Sequence, residues 1–313
     1  MEFIKKKRKR RNSKRDSLFI ISIIGVQIVA FFVFYVYCNF KSIIMAFQLK
    51  EFHSTENLGE TYWTLKNFTM MWEEFFIQDN SILSLAFKNT AIFFVLSNVF
   101  ILVGFGTSYF IYKKVWGYKI FRIALFLPAV LSSVVWSNIY INVVGVEGPI
   151  AKFLMKVFEL EDVPVLLADS RYALKTVIMY SVWFGLGTNF VLLTGAFGRI
   201  PQSLIEVGKL DGIKCGTELV KVVTPLVWPT LSTLLILNLT TLFLSSGNIL
   251  LLTNGEYKTM TLSHFLFTRV YGTPESSNSY NYASAIGLVL TVLTMPLVFL
   301  ARYLAKKVEE VTY

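Results

Sequence analysis

The sequence predicts an all-α integral membrane protein with six transmembrane helices, and three observations carry that prediction. Apolar residues make up 54% of the 313 and charged residues only 16%, where a soluble domain has about one quarter charged, and the mean hydropathy is +0.57. Six runs, at 18–40, 86–112, 120–143, 172–198, 228–253 and 281–304, reach the ~20 apolar residues that a span of the hydrocarbon core requires. Each run is apolar nearly all round, as a helix in lipid must be, and the charges gather between the runs.

The elements follow in order. Nine Lys or Arg residues crowd into Lys5–Arg15, directly before the first run. This 1–17 tail reads as a cytoplasmic anchor attracted to anionic membrane lipid, at ~1 kcal/mol per basic residue near the surface. No nucleic-acid partner is expected, since nothing nearby could read bases. The run at 18–37 is too long for a cleaved signal peptide and ends in Tyr-Cys-Asn-Phe. The tail, the 113–122 loop (Lys113, Lys114, Lys119, Arg122) and the chain end (Arg302, Lys306, Lys307) are basic, whereas 41–85 carries six acids against three lysines. The positive-inside rule then places both termini in the cytoplasm, with a transmembrane domain at 18–305 and a cytoplasmic tail at 306–313. Pro128 and Pro296 are expected to bend the third and sixth spans. The outer segments hold short interfacial helices, among them 67–76, "NFTMMWEEFF". Asn67-Phe-Thr69 fits the glycosylation triplet, a short match of little weight.

Chemistry-bearing motifs are few. Cys38 and Cys215 fall on opposite sides of the membrane and cannot pair. His53 and His264 lack ligand spacing, so no metal is expected. There is no G-x-x-x-x-G-K-[ST], G-x-S-x-G, H-E-x-x-H or C-x-x-C pattern, so no ATP is bound in the P-loop manner and an enzyme or signalling anchor has no constellation behind it. No ionisable residue lies deep in a span, which weighs against a self-sufficient secondary carrier, the alternative reading alongside a channel for a neutral polar solute. The spans are instead neutral-polar: Asn138 and Tyr140 in the third; Ser181, Trp183, Thr188, Asn189 and Thr194 in the fourth; Asn238, Thr240, Thr241, Ser245, Ser246 and Asn248 in the fifth; Ser284 and Thr291 in the sixth. Such groups either hydrogen-bond a hydroxylated ligand or hold helices together at ~0.6 kcal/mol each. Both readings stand for the cluster in spans four and five.

Between those two spans lies "SLIEVGKLDGIKCGTELVKVVTPLVWP" at 203–229, charged and punctuated by glycines. Ser203 and Glu206 have capping-box spacing, Asp211-Gly212 stops the helix, Asp211 can cap a second one at about 213–224, and Pro225 and Pro229 open span five. The result is a cytoplasmic helix–turn–helix elbow at about 201–225. Leu204, Ile205 and Leu210 stand among its charges, suited to a soluble partner's groove.

The stretch resembles the coupling motif of ABC importer permeases, with Glu206, Asp211, Gly212 and Pro225 in register and Val207, Gly208 and Thr224 departing from the pattern. "FRIALFLPAVLSSVVW" (121–136) and "VWFGLGTNFVLLTGAFGRIP" (182–201) resemble the carbohydrate branch of that family. The resemblance implies a type I ABC importer permease fold and a half-transporter for a sugar or oligosaccharide. It also implies a second homologous permease subunit, two copies of an ABC ATPase that bind the ATP, and an extracellular or periplasmic solute-binding protein. Carried over, Glu206, Gly208, Asp211 and Gly212 are the coupling positions. The substrate pathway falls on Ser181, Gly185, Thr188 and Asn189 before the elbow and on Asn238, Thr241, Leu242 and Ser245 after it. Three of these sites differ chemically from a maltose site, so the resemblance does not extend to maltose itself.

Overall fold

Apolar runs become helices largely where the sequence places them, and the departures lie where prolines, serines and threonines redirect the backbone. A computed structural model describes residues 14–51, 60–159, 165–244, 248–271 and 278–308. Most of the basic tail, His53 and Ser245 and Ser246 lie outside the described residues. The first run is continuous: α1 (Lys14–Ala30), a π-helical stretch at Phe31–Tyr37 and α2 (Cys38–Ala46). β1 (Gln48–Glu51) and β2 (Glu60–Trp63) pair antiparallel, Gln48 opposite Trp63, adding a small ribbon to the helical chain. Then come α3 (Lys66–Phe76), α4 (Ile82–Tyr112), α5 (Tyr118–Val130), α6 (Ser133–Val144), α7 (Pro149–Phe158) and α8 (Ala173–Phe197). α9 (Gln202–Leu210) and α10 (Cys215–Glu218) lead through a π-helical segment at Leu219–Val223 into α11 (Thr224–Thr240), and α12 (Ile249–Leu252), α13 (Leu262–Tyr271) and α14 (Asn278–Ala305) complete the chain.

Five helical stretches among the described residues are long and apolar enough to cross a membrane, and six if a bent pair counts as one. That pair corrects the third span. In place of one helix over 120–143, α5 ends after Val130 and the chain turns by 114° into the segment Ser133–Phe158. Leu131 is extended, and the Ser132 hydroxyl accepts from the Val134 N–H at 3.3 Å, starting a new helix. The fifth span also shifts, from the expected 228–253 to Cys215–Thr240. Pro225 stands in the first turn of α11 as expected, but the span begins earlier, because the π-helical Leu219–Val223 continues it back to Cys215, with the Thr224 hydroxyl bonding Leu219 O at 2.7 Å. The helix stops early, where the hydroxyls of Thr240 and Thr241 bond back to Leu237 O. α14, in contrast, runs through Pro296 as one helix.

α3 is helical as expected and packs on α4 and α14, leaving Trp72 and Phe76 exposed with ring centroids 4.2 Å apart. Asn67 is fully buried and donates to Ala46 O and Gln48 O at 3.0 and 2.9 Å, so the glycosylation triplet is a structural clamp on the ribbon. From Phe19 to Met45 no residue is buried, an apolar surface that suits lipid and not water. Ahead of α8, Arg171 donates to Asp169 through its backbone and side chain and holds that carboxyl below its ordinary range.

α8 packs along α4 on one side and α5 on the other. The second contact depends on Gly187. A Cβ there would stand 2.9 Å from Leu125 O and 3.2 Å from Pro128 Cβ. Gly187→Ala should therefore lower the melting temperature of the detergent-purified protein, by the ~1–3 kcal/mol that overpacking costs. An unchanged melting curve would show that α5 can give way.

Candidate functional site

The elbow is built by backbone chemistry more than by side-chain caps. α9 begins at Gln202, which places Ser203 inside its first turn, so Ser203 is not the cap and the expected capping box is absent. The end of α9 is as expected. Gly212 is left-handed at φ +67°, Asp211 N–H donates to Val207 O at 3.0 Å, and Ile213 N–H reaches Gly208 O at 3.0 Å. This six-to-one closure is a Schellman ending, with Ile213 folding over Gly208. Asp211 caps nothing further: the N-cap of α10 is Lys214, with no side-chain cap bond.

The faces of α9 divide cleanly. Ile205 is buried among Tyr109, Phe197 and Val223, and Gly208 is buried beside it. Leu204, Val207 and Leu210 are exposed, Leu210 at 87%, and so is Glu206. Of the three apolar groups expected to face a partner, Ile205 is thus part of the elbow's own support. Val207 takes its place on the outward stripe.

A feature that motif reading passed over holds the elbow from beneath. Lys113, just after α4, meets Glu218 with Nζ 2.8 and 2.7 Å from the two carboxylate oxygens, and the Glu218 side chain is only 3% exposed. Two tyrosines of the last α4 turn complete the grip. Tyr112 donates to Ile200 O at 3.4 Å before α9, and Tyr109 donates to Cys215 O at 3.3 Å after it. Deleting one partner of such a buried pair costs ~3–5 kcal/mol. In the sequence Glu218 is one charge among several in a mixed stretch, and Lys113 reads as an ordinary loop cation.

The described residues of the expected pathway lie on α8 and at or just beyond the end of α11. Ser181, Gly185 and Asn189 lie at four-residue spacing on one side of α8, and a Cβ on Gly185 would meet nothing within 4 Å. The Thr188 side chain and Ser245 lie outside the described residues. Asn238 joins α11 to α4, its amide donating to Ser97 Oγ at 2.8 Å, while Thr241 bonds its own backbone and Leu242 is buried. Ser181 also returns its hydroxyl to Val177 O at 2.8 Å. Asn238 thus contributes to helix cohesion, while the Ser181 and Thr241 hydroxyls bond the backbone of their own helices.

The described residues thus combine membrane-length helices with a helical elbow between two of them. The chain belongs to the family described as binding-protein-dependent transport system inner membrane component, whose profile matches residues 100–310. It is 29% identical over 196 residues to the multiple sugar-binding transport system permease protein MsmF of Streptococcus mutans, covering 63% of this chain and 66% of that protein. It is 24% identical over 234 residues to the lactose transport system permease protein LacF of Rhizobium radiobacter, covering 71% and 76% respectively. In fold it is similar to a chain in the crystal structure of a bacterial alginate ABC transporter in complex with an alginate pentasaccharide-bound periplasmic protein. That match has a TM-score of 0.74 at 20% identity and covers 96% of this chain and 98% of the other.

Proposed function

We propose that this chain forms half of the translocation pathway of an ATP-driven importer for a sugar or oligosaccharide. Its elbow docks in an ATPase subunit, and Glu206, Gly208, Asp211 and Gly212 are the coupling positions. A second homologous permease completes the pathway, two ATPase copies bind the ATP, and an extracellular or periplasmic solute-binding protein delivers the substrate. Both termini face the cytoplasm, consistent with the basic loops. The observation that carries the reading is the outward stripe of Leu204, Val207 and Leu210 beside Glu206, on an elbow whose own core is already satisfied by Ile205. An exposed apolar stripe on a short amphipathic helix suits a groove in a soluble partner. The sugar transport named for MsmF and LacF supports the substrate class.

Glu206→Lys should leave the membrane domain folded, since Glu206 is exposed, yet reduce ATP hydrolysis stimulated by the sugar-loaded solute-binding protein at least fivefold. The measurement uses the complete assembly in nanodiscs. Unaltered stimulation in the variant, or failure of any ATPase to co-purify with the wild-type chain, would remove the coupling assignment.

A further inference from the structure

The buried ion pair beneath the elbow differs in kind from the elbow's other contacts. Ile205, Val223 and Val227 touch α4 and α8 through apolar packing, which permits sliding. Lys113 and Glu218 instead form a two-oxygen contact at 2.8 and 2.7 Å, with side chains 15% and 3% exposed. A charge-assisted contact of this kind is directional and short-ranged, and partial displacement leaves a desolvated charge without its partner. Lys113 Nζ also lies 5.8 Å from the Tyr109 ring centroid, and Tyr109 itself bonds Cys215 O. The return limb of the elbow is therefore fixed to the end of α4 at two points within one helical turn.

Directly after Glu218 the backbone changes register. Leu219–Val223 is π-helical, and only then does α11 begin. Insertions of this type are local departures from the α-helical ladder that recur at functional sites. The chain thus places a rigid clamp to α4 and a change of helical register side by side, between the elbow and α11.

We propose that Lys113 and Glu218 are positioning residues that make α4 move as one body with the elbow, while the Leu219–Val223 segment absorbs the difference in movement at α11. The inference rests on the elbow being the ATPase-docking element. It goes beyond that reading by naming the helix that receives the motion and the pair that transmits it. α4 is suited to the part, since it packs along α8 and also contacts α11, α13 and α3, and so reaches from the elbow to the opposite end of the bundle.

The test uses the complete assembly with its ATPases and solute-binding protein, and two permease variants. K113M/E218L removes both charges, so neither is left buried alone, and replacements of that type are often neutral in stability. K113E/E218K reverses the pair. Expected for K113M/E218L are wild-type recovery of the ATPase subunits and unchanged basal ATP hydrolysis. Stimulation by sugar-loaded binding protein should fall at least fivefold, and the reversed pair should recover at least half of it. Full stimulation in K113M/E218L would overturn the proposal, because the pair would then serve folding alone. A second measurement does not depend on those variants folding well. In a Cys215→Ser background, K113C/E218C joined by a short bifunctional thiol reagent should keep stimulation above that of the same uncoupled double variant. If cross-linking abolishes stimulation, the two positions must separate during the cycle and the proposal fails. Failure of the underlying reading is distinguishable, since there the wild-type permease would recover no ATPase at all.

Discussion

Leu210→Asp is expected to weaken capture of the ATPase subunits at least tenfold while leaving the melting temperature of the isolated permease unchanged. The two halves of the expectation have separate physical grounds. Leu210 is 87% exposed at the last turn of α9, and the helix ending just beyond it is closed by Gly212 and by the Ile213-to-Gly208 backbone bond. No part of the permease fold therefore needs the leucine side chain. Docked in a groove, the same side chain would contribute ~1.5–3 kcal/mol by leaving water. An aspartate in its place forfeits that term and adds the cost of desolvating a charge. Since about 1.4 kcal/mol corresponds to tenfold in affinity, a loss beyond one order of magnitude follows. Titration of the detergent-purified permease with the purified ATPase measures it directly. Equal affinity for Leu210→Asp and wild type would mean that the outward stripe is not the docking surface. The reading would then have to move to Glu206 alone.

How much of this was legible in the sequence depended on the range of the interaction. Gly212 announced the end of α9 because a left-handed closure is a local property of two residues, and the structure forms it there. Ser203 misled because capping requires knowing where the chain leaves the preceding helix, and Pro201 delays α9 by too little to bring the serine outside it. Pro225 misled only about where the span begins. A proline suits the first turn of a helix, and Pro225 does occupy the first turn of α11, but the π-helical Leu219–Val223 ahead of it carries the span back to Cys215, and that register leaves no pattern in composition. The third span broke at Ser132, where two adjacent serines in an apolar run were a helix-start signal that hydropathy alone does not weigh. Lys113 and Glu218 were invisible as a pair because 105 residues separate them and each resembles an ordinary loop charge. On the pathway side, the polar residues of α8 and α11 were readable as a set. Which of them bond other helices, as Asn238 does with Ser97, is decided by helix rotation, and that is a tertiary property.

Asn89→Leu should open the loop after α12 without dissolving the bundle. Asn89 is 1% exposed on α4, and its amide donates to Lys258 O at 2.9 Å and Met260 O at 2.8 Å. Its neighbour Thr90 accepts from the Leu262 N–H at 2.9 Å, and Thr253 and Thr259 share a hydroxyl bond at 2.6 Å. These bonds hold a backbone that is unfavourable in isolation. Asn254, Tyr257 and Lys258 have φ of +51°, +51° and +62°, and each left-handed non-glycine residue costs ~1–2 kcal/mol. Gly255, at φ +78°, is confined as well, since a Cβ there would stand 2.6 Å from His264 Cδ2. Leucine is close to asparagine in size but cannot donate, so the substitution costs ~1–3 kcal/mol for the buried acceptors it abandons. With three left-handed residues no longer compensated, local opening becomes cheaper than global unfolding. Hydrogen–deuterium exchange should accelerate at least tenfold over 254–262, while α4, α8 and α11 retain wild-type protection. Uniform acceleration across the bundle would instead make Asn89 a core-packing residue. Unchanged exchange in the loop would mean that Thr90 and the Thr253–Thr259 bond suffice to hold it.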